Sequence, residues 1–191
     1  MTDYELKQLS AYSDALDNLA KNNSNDTFPN KDHKHASIVL SKILKYSKST
    51  FILFDDDLKG DIVKNDQVVS FRDSLIEFIS RGGSLKIVIS DENDDDDASL
   101  KSFLKTLVEL FSEQVELKLA SSEFKESMKK IYGEKINFAV GDTNKYRLEK
   151  YGDNSVDKKT GTAIGSFNNE QTSRLLLKAF YFNYNSCLSY N

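Results

Sequence analysis

The chain has 191 residues, 39% of them hydrophobic and 29% charged, and a formal net charge of −4. This length supports one sizeable core rather than two, and the longest apolar runs, such as residues 87–89 and 175–177, are far too short to span a bilayer. The charge is uneven: residues 1–100 carry 12 basic and 19 acidic side chains, a net of −7, and residues 101–191 carry 14 and 11, a net of +3. An acidic first half repels a phosphate backbone, which disfavours generic nucleic-acid binding but leaves room for a local basic site in the second half. The polar, acidic start MTDYELKQLS lacks the pattern of a secretory signal, and a single cysteine, Cys187, cannot close an internal disulfide. A reducing, cytoplasmic setting is therefore expected.

Residues 4–21 predict a helix, because Leu9, Tyr12, Leu16 and Leu19 recur at spacings of three and four. Residues 22–32 hold the one proline among small polar residues and read as a loop or linker. A second helix is expected over 35–47, with Ile38, Val39, Ile43 and Leu44 as its apolar side and Asp32 as its cap. The period then changes. Residues 50–54 read as a buried strand, 55–66 as a polar connection, and 69–81 as a helix stopped by Gly82 and Gly83. A second buried strand follows at 85–89, an acidic turn at 91–97, an amphipathic helix at 100–111, a strand at 115–120 and a short helix at 123–131. Strands at 136–140 and 145–148 are joined through 141–144; a loop over 150–162 leads to a last strand at 163–167. The final helix is expected over 169–184, with Asn168 and Gln171 at capping-box spacing. Strand–helix alternation followed by clustered strands argues for a sheet covered by helices on both faces.

The acidic run from Asp91 to Asp97 invites a calcium reading. Counted from Asp91, Asn93 and Asp95 suit the third and fifth positions of a calcium loop, but Asp96 replaces the glycine of the sixth and Ser102 the glutamate of the twelfth. The run reads better as a solvated turn capping the next helix through Asp97, and no metal or other cofactor is expected. His33 and His35 sit at a helix start, where surface or capping roles outweigh catalysis, and zinc would need two further ligands. Cys187 reads as a bystander thiol. The most informative stretch is residues 136–149. Its first strand ends at Gly141-Asp142, and the next places Arg147 and Glu149 on one face, either as a cross-strand ion pair or as the lining of a site.

The order of these segments resembles one half of the phospholipase D-like fold. The resemblance rests on His35-Ala36-Ser37-Ile38, the strand from Phe51 to Phe54, Phe78-Ile79-Ser80-Arg81-Gly82-Gly83, the strand from Leu85 to Ile89, the Phe138-to-Glu149 strands and Ser166-Phe167-Asn168-Asn169. It spans about residues 33–185 and is nearest to small bacterial members in which a histidine followed by phenylalanine opens the Gly-Asp strand. Active members of that superfamily use a histidine nucleophile, a lysine two residues on that neutralises phosphate oxygens, and a later aspartate. The matching positions here are Asn137 and Ala139, which can do neither, and in His33-Lys34-His35 the lysine directly follows the histidine.

The resemblance therefore implies an α/β, phospholipase D-like mixed sheet covered by helices on both faces, with a helical N-terminal extension. Residues 1–30 form the extension and linker, and residues 31–191 the domain. The implied role is a catalytically inactive binding or regulatory module in a bacterial defence or signalling setting, with a protein or a small phosphorylated ligand as partner. His35, Asn137, Asp142, Arg147, Glu149 and Asn168 are its candidate ligand-binding or vestigial site. Two alternatives stay open: a phosphodiesterase or nuclease built on Asp142, Arg147, Glu149 and His35, and a structural subunit of a larger complex. A homodimer is also expected, because single-motif members of the superfamily pair two-fold. The Leu9–Leu19 stripe, or the aromatic end at Phe180, Tyr181, Phe182 and Tyr184, would supply its apolar contact.

Overall fold

The computed structural model describes residues 1–55, 68, 70–90, 98–151 and 162–190. Residues 56–66 of the expected connection, the acidic run with its cap at Asp97, and most of the 150–162 loop lie outside them. In chain order the elements are α1 (Asp3–Lys21), β1 (Phe28–Asn30), α2 (His33–Tyr46), β2 (Thr50–Asp55), α3 (Phe71–Ser80), β3 (Ser84–Ile89), α4 (Ala98–Leu110), β4 (Val115–Leu119), α5 (Ser122–Tyr132), β5 (Lys135–Gly141), β6 (Lys145–Tyr151), β7 (Thr162–Ser166), α6 (Glu170–Phe182) and β8 (Leu188–Ser189). The strands make one mixed sheet in the order β1-β7-β6-β5-β2-β3-β4-β8. The β2–β3 and β3–β4 pairs are parallel, and all the other pairs are antiparallel.

Alternation along each strand sends successive side chains to opposite faces. Phe51, Leu53, Leu85 and Ile87 join one core with α1, α2, α3 and α4. Ile52, Phe54, Ile136, Phe138 and Val140 join a second core with α5 and α6. The sheet is thus covered by helices on both faces, as expected. The second core is built on aromatic edges: Phe54 meets Phe124 at 5.1 Å and Phe138 at 5.8 Å, and Phe124 meets Phe180 at 6.0 Å, centroid to centroid. Such edge-on pairs add about 0.5–1.5 kcal/mol each beyond the area they bury.

Under α2 the sheet is lined by small residues. Ala139 is fully buried, and a Cβ added at Gly141 would come within 2.6 Å of Ile43 Cγ2 and collide with the Ser47 hydroxyl. Buried Ser37, Ser41 and Ser47 supply small side chains from the helix side, so α2 lies close against β5. The apolar stripe of α1 is spent on the chain's own domain, with Leu9 and Leu16 buried and Tyr12 and Leu19 packed beside them. Asp17 fastens α1 to α2, accepting from Lys42 Nζ (2.6 Å), Tyr46 Oη (2.8 Å) and Lys45 Nζ (3.2 Å). Burial pushes the Asp17 carboxyl up, but these three bonds together outweigh it and hold the group at about 2.

Three local features differ from expectation. The loop before α2 contains β1, which pairs with β7 at the sheet edge, where a proline can stand without breaking a ladder. β6 runs on to Tyr151, paired throughout with β5. The last helix is capped by Asn169, whose side chain accepts from Thr172 N at 2.9 Å, while Asn168 donates to the Asn23 carbonyl. Asn169→Ala should therefore cost about 1 kcal/mol, read as a lower melting temperature. An unchanged melting temperature would return the cap to Asn168.

Candidate functional site

The face of the β5–β6 hairpin that meets α2 turns polar at one end. Asn137 pairs with Glu149, Glu149 with Ala163, and Ala163 with Asn30. Asp55, one residue beyond the Phe54–Phe138 pair, comes level with Asn137 on its other side. A row of polar side chains thus crosses the sheet from β2 to β1, and Asn30, Asp55, Asn137 and the neighbouring Arg147 are each no more than 5% exposed. Groups buried this deeply need partners.

The partners form a chain of hydrogen bonds. Asn137 Nδ2 donates to Tyr151 Oη at 3.1 Å, and the Tyr151 hydroxyl is bonded to Glu149. Glu149 takes an ion pair from Arg147 Nη2 at 3.1 Å, and Arg147 Nε donates to Asn30 Oδ1 at 2.6 Å. Asn30 Nδ2 donates to the Asp32 carbonyl at 3.0 Å. The Asp32 carboxylate caps α2 by accepting from His35 N at 3.0 Å, and it also meets His35 Nδ1 at 2.7 Å. Tyr12 closes the chain from above: its ring stands edge-on to His35 at 4.7 Å, and its hydroxyl donates to the Pro29 carbonyl at 2.8 Å.

Burial is the main cause of the electrostatics here. It pushes the Tyr151 phenol far above its usual range, and the charges of Glu149 and Asp55 push it further, so Tyr151 is a neutral donor at any working pH. Burial raises Tyr12 as well, against the opposing pull of Arg147. For Asp32, burial acts upward, but the His35 backbone and ring bonds prevail and hold its carboxyl below the usual range.

Of the six residues expected to form a site, the structure gathers Asn137, Arg147, Glu149 and, through Asn30 and Asp32, His35. Asp142 and Asn168 lie at the other end of the sheet. Asp142 follows β5 in the turn to β6, five residues or roughly 17 Å from Asn137 along the strand. Its carboxylate accepts from the backbone N–H groups of Lys48, Ser49 and Thr50 at 3.0–3.3 Å, from the Ser49 hydroxyl at 3.1 Å and from Lys145 Nζ at 3.2 Å. Asn168 accepts from Asn144 Nδ2 in the same turn. Both residues serve here as joints between segments.

Asn30, Asp55, Tyr12 and Tyr151 complete the network and were not among the expected site residues, Tyr12 having been read only as part of the apolar stripe of α1. Two of them had a readable signal, since period-two alternation extends Arg147 and Glu149 to Tyr151, and Phe51 and Leu53 to Asp55. Chemically, the row offers an amide at Asn137 and a methyl group at Ala139. Its one guanidinium is already engaged on two sides. Among the described residues no group of three or more His, Cys, Asp or Glu is placed to hold a metal, and no helix is long and apolar enough to cross a membrane.

No family model matches the sequence, and no curated protein does. Solved structures do match. TrmBL2, an archaeal chromatin protein whose structure shows a novel mode of DNA binding, superposes with a TM-score of 0.59 at 13% identity over 98% of this chain. This chain spans only 64% of TrmBL2's length. Nuc from Salmonella typhimurium, a phospholipase D family member, superposes with a TM-score of 0.55 at 14% identity, covering 87% of this chain and 99% of Nuc. NucT from Helicobacter pylori follows with a TM-score of 0.50 at 11% identity, covering 86% and 98%. Identities this low speak for the fold alone, and the fold they agree on with the sheet order and the two-sided helical cover is the phospholipase D-like α/β fold.

Proposed function

We propose that this chain is a catalytically inactive phospholipase D-like recognition module. The observation that carries the reading is the pair Asn137 and Ala139 at the positions where the resemblance puts nucleophile and phosphate binder. Ala139 is fully buried beneath α2, so the phosphate-binding position is filled by packing. The network supports the same reading. Asp55 and Glu149 flank Asn137 with carboxylates, and Arg147 spends its charge on Glu149, an arrangement that repels a phosphodiester. Of the two partner classes expected, a protein fits this end of the sheet better than a phosphorylated ligand. DNA binding by TrmBL2 finds no general counterpart here, given the net charge of −4. With the α1 stripe buried on its own domain, a homodimer would have to use the aromatic end of α6.

The purified chain should hydrolyse neither a chromogenic phosphodiester nor nucleic acid nor phospholipid. Turnover that survives purification and disappears in His35→Ala or Glu149→Gln would overturn this reading in favour of a phosphodiesterase with a non-standard site.

A further inference from the structure

We propose that the C-terminal end of α6, with the β3–β4 surface beside it, binds a flexible single strand of nucleic acid. The site lies on the opposite face from Asn137 and stands independently of the inactive-module reading. Two neighbouring aromatic side chains are presented to solvent there, Tyr181 at 47% and Phe182 at 77% exposure. Tyr181 is backed by buried rings: Tyr184 stacks on Phe180 at 5.0 Å with planes 29° apart, and Tyr181 stands edge-on to both. Tyr181 therefore sits on a rigid base, with Phe182 next to it at the end of the helix.

Lysines stand beside this group of rings. Lys118 Nζ lies 4.2 Å and Lys86 Nζ 5.2 Å from the Tyr184 ring centroid. Lys178 precedes Tyr181 and Phe182 by three and four residues, which puts it on their side of the helix. Among the described residues Glu116 contacts this group, paired with Lys86 and accepting from Tyr184 Oη at 2.8 Å. With Lys86 paired to Glu116, Lys118 and Lys178 leave positive charge beside the exposed rings on an acidic protein.

Positive charge beside exposed rings matches a ligand with both phosphates and accessible base faces. A duplex hides its base faces, and an acidic peptide has none, so an unpaired strand uses both features. With Lys86 engaged on Glu116, Lys118 and Lys178 meeting phosphates predict a log–log salt slope of about −1.4 for a single strand.

The test is fluorescence anisotropy of the full chain with a labelled oligothymidylate of about 15 nucleotides. Saturable binding is expected. Phe182→Ala and Tyr181→Ala should each weaken it roughly ten-fold, and Lys178→Glu should weaken it and flatten the salt slope. Leu110→Ala, at an exposed position on α4 on the other face, should leave it unchanged. All four positions are exposed, so circular dichroism should show intact folds. The proposal fails if no saturable binding occurs, or if a duplex of the same length binds more tightly. It also fails if polyglutamate competes equally well and Phe182→Ala changes nothing. Light scattering that finds a dimer dissolved by Phe182→Ala would overturn it too, by assigning the patch to a second copy of the chain.

Discussion

Arg147→Ala should lower the stability of this protein by roughly 3–5 kcal/mol, the usual cost of breaking a buried ion pair by removing one partner. Arg147 is 3% exposed, and the substitution leaves two orphans. Asn30 Oδ1 loses its 2.6 Å donor, and Glu149 loses its cation at 3.1 Å. The Glu149 side chain is 20% exposed, so water can reach it in part, which sets the loss toward the lower end of the range. Because Asn30 belongs to β1, the damage should concentrate at that edge of the sheet, where hydrogen exchange in β1 and β7 would rise first. Adding Glu149→Gln should recover part of the loss, since the two residues form one unit. Denaturant melts of the single and double variants check this. A loss under about 1 kcal/mol for Arg147→Ala would mean that the row contributes little to holding the sheet edge.

Asp142→Ala should cost roughly 2–4 kcal/mol, because it removes the shared acceptor of three backbone N–H groups and a hydroxyl. Those groups start β2 directly after α2, so the loss uncouples the β5–β6 turn from the first strand of the parallel unit. Asp142 also holds a left-handed backbone at φ 51°, which aspartate tolerates better than alanine. Asp142→Asn keeps both the shape and an acceptor oxygen and should cost less. The pH dependence has a definite sign. Burial acts upward on this carboxyl, but the backbone donors and Lys145 outweigh it and hold it below the ordinary aspartate value of 3.8. Its contribution is therefore present above that value and is lost as pH falls through the lower folded one. Asp17, held at about 2, acts in the same direction. The Asn variant should show a flatter acid limb in melts between neutral pH and the acid transition, and an unchanged limb would contradict the clamp.

The parallel half of the fold was open to reading from sequence because its strands are short, mostly apolar runs between amphipathic helices. Phe51 to Phe54 are buried on both faces, as are Leu85 to Ile89 apart from Lys86, and that environment leaves a local signature. β1 left none. Its three residues, Phe28, Pro29 and Asn30, lie in a polar stretch and become a strand only because β7 is there to pair with them. Asn30 had no local signal either, since its partner Arg147 lies 117 residues away. The helix cap was misplaced by one position because Asn168 and Asn169 carry the same side chain, and only the turn geometry decides which reaches Thr172. Arg147 and Glu149 were visible as a same-face pair, but their meaning came from Asn30, Tyr151 and Asp55, which converge through three separate strands. Asp142 and Asn168 drew attention as polar residues at strand ends, and such positions serve joints as readily as sites.

The central claim, a phospholipase D-like fold without the covalent chemistry of phospholipase D, is tested most directly by trapping. The protein is mixed with a phosphodiester substrate, quenched within the first turnovers, and examined by intact-mass spectrometry and peptide mapping. The account predicts unmodified protein, because Asn137 offers no nucleophile at the position where the resemblance puts one. A substrate-derived phosphoryl adduct mapped to His33 or His35 would contradict it.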